Sequence, residues 1–153
     1  MSDIRLQESI EIDRPADDVW RVVADYARDP EWRGSVVSMT PTPHGTAAAG
    51  TTTVEVMRFA GRLLTNDGEV TDVGPGRRFA WRTVRGARAH GGRAVTSVGQ
   101  GSRVELTLVV TPRPSELLLR PVAARMLRRG LREDLRRLRE LCQADVRSDV
   151  RSC

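Results

Sequence analysis

The apolar and polar positions alternate at the start of the chain, and this pattern predicts a strand followed by short helices. In IRLQESIEI the isoleucine and leucine residues share one parity, so one face of a strand of about nine residues would be buried. In the next segment, DRPADDVWRVV, a proline and two aspartates stand where the first turn of a helix favours them. The segment DYARDPEW predicts a second short helix, which Pro30 interrupts.

Between Ser35 and Thr111 the pattern predicts six further strands separated by turns. They are SVVSM, TTTVEVMRF, RLLTNDGEVTDV, RRFAWRTV, GRAVTSV and RVELTLVVT. Glycine-rich breaks such as Ala60-Gly61 and Gly74-Pro75-Gly76 join neighbouring segments. Connections this short favour antiparallel neighbours, so these six strands are predicted to form a meander; with the first strand, the sequence predicts a seven-stranded antiparallel sheet of the α+β class.

The last predicted element is a long amphipathic helix. Apolar residues recur at helical spacing from Leu127 through Leu138 to Cys142, while most arginines fall on the other side. Pro121 favours a separate short helix over residues 114–120. We expect one domain over residues 1–142 and a frayed tail over residues 143–153.

Charge is distributed unevenly along the chain. All 25 basic residues are arginine, against 20 acidic residues, and the net charge is +5. Residues 113–141 hold nine arginines and four acids, and the rest of the chain is balanced. The excess is therefore the solvated face of the last helix, which argues against nucleic acid as a partner. Contact of this helix with an anionic partner or a membrane surface stays open as an alternative.

Sequence motifs for metal, cofactor or export are not evident. The two cysteines, His44 and His90 lack ligand spacing, and GPGRRF and GQGS connect strands instead of opening a helix. We therefore expect no metal and no cofactor. The segment MSDIRLQESIEI has no apolar signal core, and two cysteines suit a reducing compartment, so the predicted location is cytoplasmic.

The order of elements resembles the START-like (helix-grip, SRPBCC) superfamily, within it the bacterial polyketide cyclase/dehydrase and lipid-transport type. The segments that carry the resemblance are IEIDRPADDVWRVVADYARDPEW, FAGRLL, EVTDVGPGRRFAW and SRVELTLVVTP. The resemblance implies a curved antiparallel sheet wrapped around the C-terminal helix, with a cavity for a small hydrophobic ligand between them. The proline-rich stretch, arginine and tyrosine that mark aromatases of this superfamily are not evident.

Strand parity predicts which side chains would face that cavity. If Ala60-Gly61 is a two-residue turn, Phe59 pairs with Arg62, Met57 with Leu64 and Glu55 with Asn66. The apolar residues that would then share the concave face are Met57, Phe59, Leu64, Val70, Phe79 and Trp81. Glu55 and Asn66 would lie among them. A turn one residue longer or shorter would instead turn Glu55 to solvent and bring Asp67 and Glu69 to the other face.

Glu55 and His90 are the candidate catalytic residues, because a carboxylate in an apolar concavity and an imidazole can both transfer protons. The alternative for His90 is an exposed loop or strand end. Besides the concave-face residues, Tyr26, Trp32, Asn66 and Met126 are candidate ligand contacts, with packing as the alternative for Tyr26, Trp32 and Met126.

The sequence thus favours binding of a polyketide, lipid or isoprenoid, with cyclisation or dehydration by proton transfer if the protein is an enzyme. The alternative is a carrier or interaction module without catalysis. The sequence leaves the choice between enzyme and carrier open, along with the oligomeric state.

Overall fold

A computed structural model describes residues 2–151, with side chains described for residues 2–144. The strands are β1 (Ile4–Ile12), β2 (Val36–Thr42), β3 (Thr52–Phe59), β4 (Arg62–Val73), β5 (Arg77–Arg85), β6 (Ala89–Val98) and β7 (Gly101–Val110). The α-helices are α1 (Ala16–Val23), α2 (Asp29–Trp32) and α3 (Arg120–Arg151), and 3₁₀ turns span Tyr26–Arg28 and Pro114–Leu119. The second of these turns is the short helix predicted before α3.

The seven strands form one antiparallel sheet in the order β1-β7-β6-β5-β4-β3-β2. Strands β2 to β7 pair with their neighbours in sequence, as the short turns predict, and β1 joins the free edge of β7. All the helices lie on one face, which we call the inner face; the opposite face is the outer face. The predicted helix-grip architecture is confirmed.

Two apolar clusters fill the space between the inner face and the helices. The first joins α1, β7 and the later turns of α3, with Val19, Trp32, Val104, Leu135 and Leu138 at its centre. The second lies under the 3₁₀ turn Tyr26–Arg28 and consists mainly of Tyr26, Val36, Met39, Val70 and Phe79. The apolar stripe of α3 therefore packs where the spacing of its leucines predicts.

Helix α3 is unevenly packed along its length. Leu135 and Leu138 are buried, whereas Val122 and Met126, nearer its N-terminus, are 57% and 43% exposed. A Cβ atom placed on Gly130 would meet nothing within 4 Å outside its own helix backbone. The first turns of α3 are therefore packed less closely than its later turns.

The helix continues to Arg151, so the structure describes part of the segment expected to fray, and that expectation stays a prediction. Ser152 and Cys153 of the same segment lie outside the described residues. Within the part of the chain that is described, no helix is long and apolar enough to cross a bilayer.

The contrast between the buried later turns of α3 and the exposed 3₁₀ turn before it can be tested with two leucines. Leu138→Ala should lower the free energy of unfolding by about 2–5 kcal/mol, because a fully buried side chain leaves a cavity. Leu118→Ala, whose side chain is 94% exposed, should change it by less than about 0.5 kcal/mol. Urea denaturation measures both. Equal losses of unfolding free energy in the two variants would contradict this difference in burial.

Candidate functional site

The turn between β3 and β4 sets the register that was uncertain in the sequence. Ala60 and Gly61 have φ angles of +51° and +78°, the left-handed values that a two-residue hairpin turn requires. Phe59 pairs with Arg62 and Glu55 with Asn66, so the predicted register is confirmed and the shifted alternative is wrong.

Glu55 lies on the inner face, held by two donors. Arg33 Nη1 donates to Glu55 Oε2 at 2.7 Å, and Asn66 Nδ2 donates to Oε1 at 3.2 Å. The Glu55 side chain is 14% exposed. Because both carboxylate oxygens accept hydrogen bonds, this arrangement suits a carboxylate that acts as an acceptor.

Asn66 is itself oriented by the β5–β6 turn. The backbone N–H of Ala87 donates to Asn66 Oδ1 at 3.0 Å, which directs the amide nitrogen towards Glu55. Gly86 has a φ of +100°, and a Cβ atom there would collide with Asn66 Oδ1. A glycine is therefore needed where this turn closes over the asparagine.

Behind Arg33 the ion pairs continue into the protein interior. Arg33 also donates to Asp29 Oδ2 at 3.0 Å, and Arg93 reaches Asp29 through two hydrogen bonds of 2.8 and 2.6 Å. Asp29 is fully buried and the Arg93 side chain is 5% exposed. The chain Arg93–Asp29–Arg33–Glu55 thus runs from a buried end to a partly exposed one; we call it the ion-pair chain.

Arg93 is further enclosed by a backbone carbonyl and three rings. Its Nη1 donates to the Val23 carbonyl at 3.0 Å. The guanidinium carbon lies 4.6 Å from the ring centre of Tyr26, 5.1 Å from that of Trp32 and 5.7 Å from that of Phe79. Burial alone would lower the pKa of Arg93, but the attraction of Asp29 outweighs it and the pKa is raised.

The same environment affects Tyr26 and Asp134. Burial raises the pKa of Tyr26 to about 12, although the positive charge of Arg93 opposes the shift. Asp134 on α3 accepts a hydrogen bond from the Gly34 backbone N–H at 3.1 Å, which ties α3 to the end of α2. Burial raises the pKa of Asp134, and Arg33 is the main group opposing that rise.

The predicted ligand contacts occupy different depths of the inner face. Phe79, Tyr26, Trp32 and Asn66 are buried. Met57, Phe59 and Trp81 are half-buried, Leu64 is 36% exposed and Met126 is 43% exposed. Three of the accessible residues, Met57, Phe59 and Leu64, lie on β3 and β4, the strands that carry Glu55 and Asn66.

His90 lies on the outer face, away from Glu55. It pairs with Arg82 in β5 and Val109 in β7, whereas its neighbour Gly91 pairs with inward-facing Trp81. His90 is exposed and borders an open depression of about 450 Å³. Among the described residues, no three His, Cys, Asp or Glu side chains are grouped so as to hold a metal ion.

Sequence reasoning did not identify Asp29, Arg33 and Arg93. Counting parity from Trp81 through its partner Gly91 would have turned Arg93 inward. Asp29 and Arg33 are four residues apart, one helical turn: Asp29 begins α2 and Arg33 directly follows it. Each of these signals was present, but an arginine in a strand ordinarily points to solvent.

Removing Asp29 from the buried end of the ion-pair chain should destabilise the folded protein. Asp29→Ala would leave the buried Arg93 without its carboxylate and should lower the free energy of unfolding by about 3–5 kcal/mol. Asp17→Ala removes an ion pair with Arg77 in which Asp17 is 73% exposed, and should cost less than about 1 kcal/mol. Similar losses in urea denaturation of the two variants would contradict this role of Asp29.

Tyr26 is the only tyrosine, so its ionisation can be followed directly by absorbance near 295 nm. The folded protein should show little phenolate at about pH 10.5, whereas urea-unfolded chain should be more than half ionised. Because the pKa is raised in the folded state, stability should fall as pH rises from about 10 towards 12. A folded-state midpoint near 10, with circular dichroism unchanged, would contradict the burial of the phenol.

Solved structures with similar folds include an aromatase/cyclase. The chain superposes on the Zhui aromatase/cyclase from Streptomyces sp. R1128 with a TM-score of 0.80 and 16% identity, over 94% of this chain and 96% of that one. It superposes on TTHA0849 from Thermus thermophilus with a TM-score of 0.78 and 22% identity, over 94% and 98% of the two chains. At these identities the likeness concerns the fold.

Comparison at the sequence level gives the family. No curated protein matches the chain. The family model described as polyketide cyclase / dehydrase and lipid transport matches residues 3–143. The strand order, the C-terminal helix and this match over nearly the whole length agree, and the chain belongs to the polyketide cyclase / dehydrase and lipid transport family.

Proposed function

We propose that this protein binds a small hydrophobic molecule of polyketide, lipid or isoprenoid type and catalyses its cyclisation or dehydration by proton transfer. The observation that carries the proposal is the carboxylate of Glu55, held by Arg33 and Asn66 on an otherwise apolar surface. Family membership supports ligand binding or cyclisation as the class of activity.

The proposed ligand lies between the inner face and the first turns of α3. On the sheet side, Met57, Leu64 and Trp81 offer partly exposed apolar surface. On the helix side, Met126 is exposed and space is open beside Gly130. Gly130 lies one turn before Asp134, which contacts the end of α2, so it faces the same side of the helix. Burial of apolar ligand surface between these walls would drive binding.

In this proposal Glu55 acts as a general base. It removes a proton from a carbon next to a substrate carbonyl, and the resulting enolate attacks a second carbonyl to form the ring bond. The protonated Glu55 then returns its proton to the new alkoxide. In the same proposal Arg33 and Asn66, which donate to Glu55, would stabilise the negative charge that develops on the enolate oxygen.

The other predicted residues have different places in this proposal. Tyr26 and Trp32 are packed around Arg93 and support the ion-pair chain. His90 has no part in the proton transfer, because it lies on the outer face. A carrier without catalysis would use the same apolar walls but would not need Glu55 as a base.

Replacing Glu55 separates catalysis from binding. In Glu55→Gln the carbonyl oxygen can still accept from Arg33, but the base is lost. We expect turnover of a β-polyketone thioester to fall by about 10²–10⁴-fold. Ligand retention, followed by native mass spectrometry of the purified protein, should be preserved.

The matched control is His90→Ala, which should change neither turnover nor retention. If both variants and the original protein retain ligand but none turns over a β-polyketone, the protein is a carrier and the catalytic part of the proposal is wrong. If no small molecule is retained or bound by any of them, ligand binding is wrong as well.

A further inference from the structure

One end of the sheet combines exposed apolar and cationic side chains. Since the strands are antiparallel, the β3–β4 turn, the β5–β6 turn, the start of β1 and the end of β7 all lie at this end, which we call the open end. The contacts of Thr111 confirm the grouping: its N–H donates to the Arg88 carbonyl at 2.9 Å, and its hydroxyl to Asp3 at 2.9 Å. The 3₁₀ turn Pro114–Leu119 follows directly.

Several apolar side chains at the open end are exposed to solvent. Leu118 is 94% exposed, and its neighbours in the turn and in α3 are also largely accessible. The set, with exposed fractions, is Leu117 42%, Leu118 94%, Leu119 63%, Val122 57%, Leu63 61% and Leu64 36%. The helical segment and the β3–β4 hairpin are three strand spacings apart, about 14 Å, so both fit one contact surface. Exposed apolar side chains grouped at one end of a molecule are typical of an interaction site.

Free positive charge accompanies these apolar residues. Among the described side chains, five exposed arginines at or next to the open end have no carboxylate partner: Arg58, Arg62, Arg88, Arg113 and Arg125.

Two of the acidic residues nearby already have arginine neighbours. Asp3 and Asp67 lie 3.6 and 3.7 Å from Arg5 and Arg85, and Glu116 is the exposed acid within the 3₁₀ turn. Further along α3, Arg128 and Arg132 pair with Glu8, and Arg129 with Glu133. Five exposed arginines without a carboxylate partner among the described side chains thus lie near the exposed leucines.

We propose that the open end docks on the surface of an anionic phospholipid bilayer. Leucine side chains would enter the boundary between headgroups and acyl chains while the arginines contact lipid phosphates. A second copy of this chain fits less well, because a symmetric contact would place like-charged arginines opposite one another. RNA fits less well too, because the aromatic residue of the β3–β4 hairpin, Phe59, is half-buried, whereas the exposed apolar side chains are leucine and valine, which do not stack on bases.

Docking in this orientation would bring the bilayer to the proposed ligand site. Leu64 and Met126 belong to the proposed ligand walls, and Leu64 also belongs to the open end. A ligand dissolved in the bilayer would then enter without crossing water. Bilayer docking itself does not depend on the proposed function, since its residues are accessible with or without ligand.

Flotation with vesicles tests the proposal. The full chain should float with vesicles of about equal phosphatidylglycerol and phosphatidylcholine, should bind pure phosphatidylcholine at least tenfold less, and should dissociate as salt rises. Leu118→Ser and the double variant Arg113→Gln/Arg125→Gln should each weaken binding at least tenfold. The matched controls Val98→Ser, an exposed apolar residue at the other end of the sheet, and Arg21→Gln, an exposed arginine of α1, should bind as the original protein does.

Three results would overturn the proposal: no flotation with either vesicle, equal loss in variants and controls, or a concentration-dependent dimer that Leu118→Ser abolishes without any vesicle binding. Circular dichroism should show every variant folded, since all these side chains are exposed. Retention of ligand in solution, measured for Leu118→Ser without vesicles, should be unchanged. Failure of docking is thereby distinguished from failure of the proposed ligand site.

Discussion

The buried ion pair between Arg93 and Asp29 is the interaction on which the arrangement of the inner face depends. Removing both charges from water costs free energy, which the structure offsets with two short hydrogen bonds, the Val23 carbonyl and three aromatic rings. Because these partners come from β6, α1, the 3₁₀ turn, α2 and β5, the pair joins the sheet to every element that precedes β2 except β1. These contacts hold α1, the 3₁₀ turn Tyr26–Arg28 and α2 against the sheet.

The ion-pair chain carries this constraint outward. Asp29 is shared by two arginines, and the second of them, Arg33, reaches a part of the inner face where side chains become accessible. Glu55 is thus held by Arg33 and Asn66, beside the half-buried Met57. In the proposed reaction, these fixed partners would hold the base in place, as the partners of preorganised catalytic groups do. The same rigidity would serve a carrier by orienting a polar group of its cargo.

The inner face was predictable where local rules apply. Alternation and a two-residue turn at Ala60-Gly61 were sufficient to place Glu55 opposite Asn66, since turn geometry and strand parity act over a few residues. The network behind Glu55 was not predicted, because Arg93 and Asp29 are 64 residues apart and an arginine within a strand usually faces water. The position of His90 also required the full register of β5 and β6, which places it on the outer face.

By itself the sequence determined the order of the elements, the register of the central hairpin and the helix that carries most of the net charge, because these follow from short-range periodicity, turn chemistry and composition. The tertiary structure alone decided which charges are buried together, which arginines remain unpaired, and that exposed leucines and free arginines meet at one end of the sheet. The physical reason is that ion pairing and exposure depend on which distant segments come together.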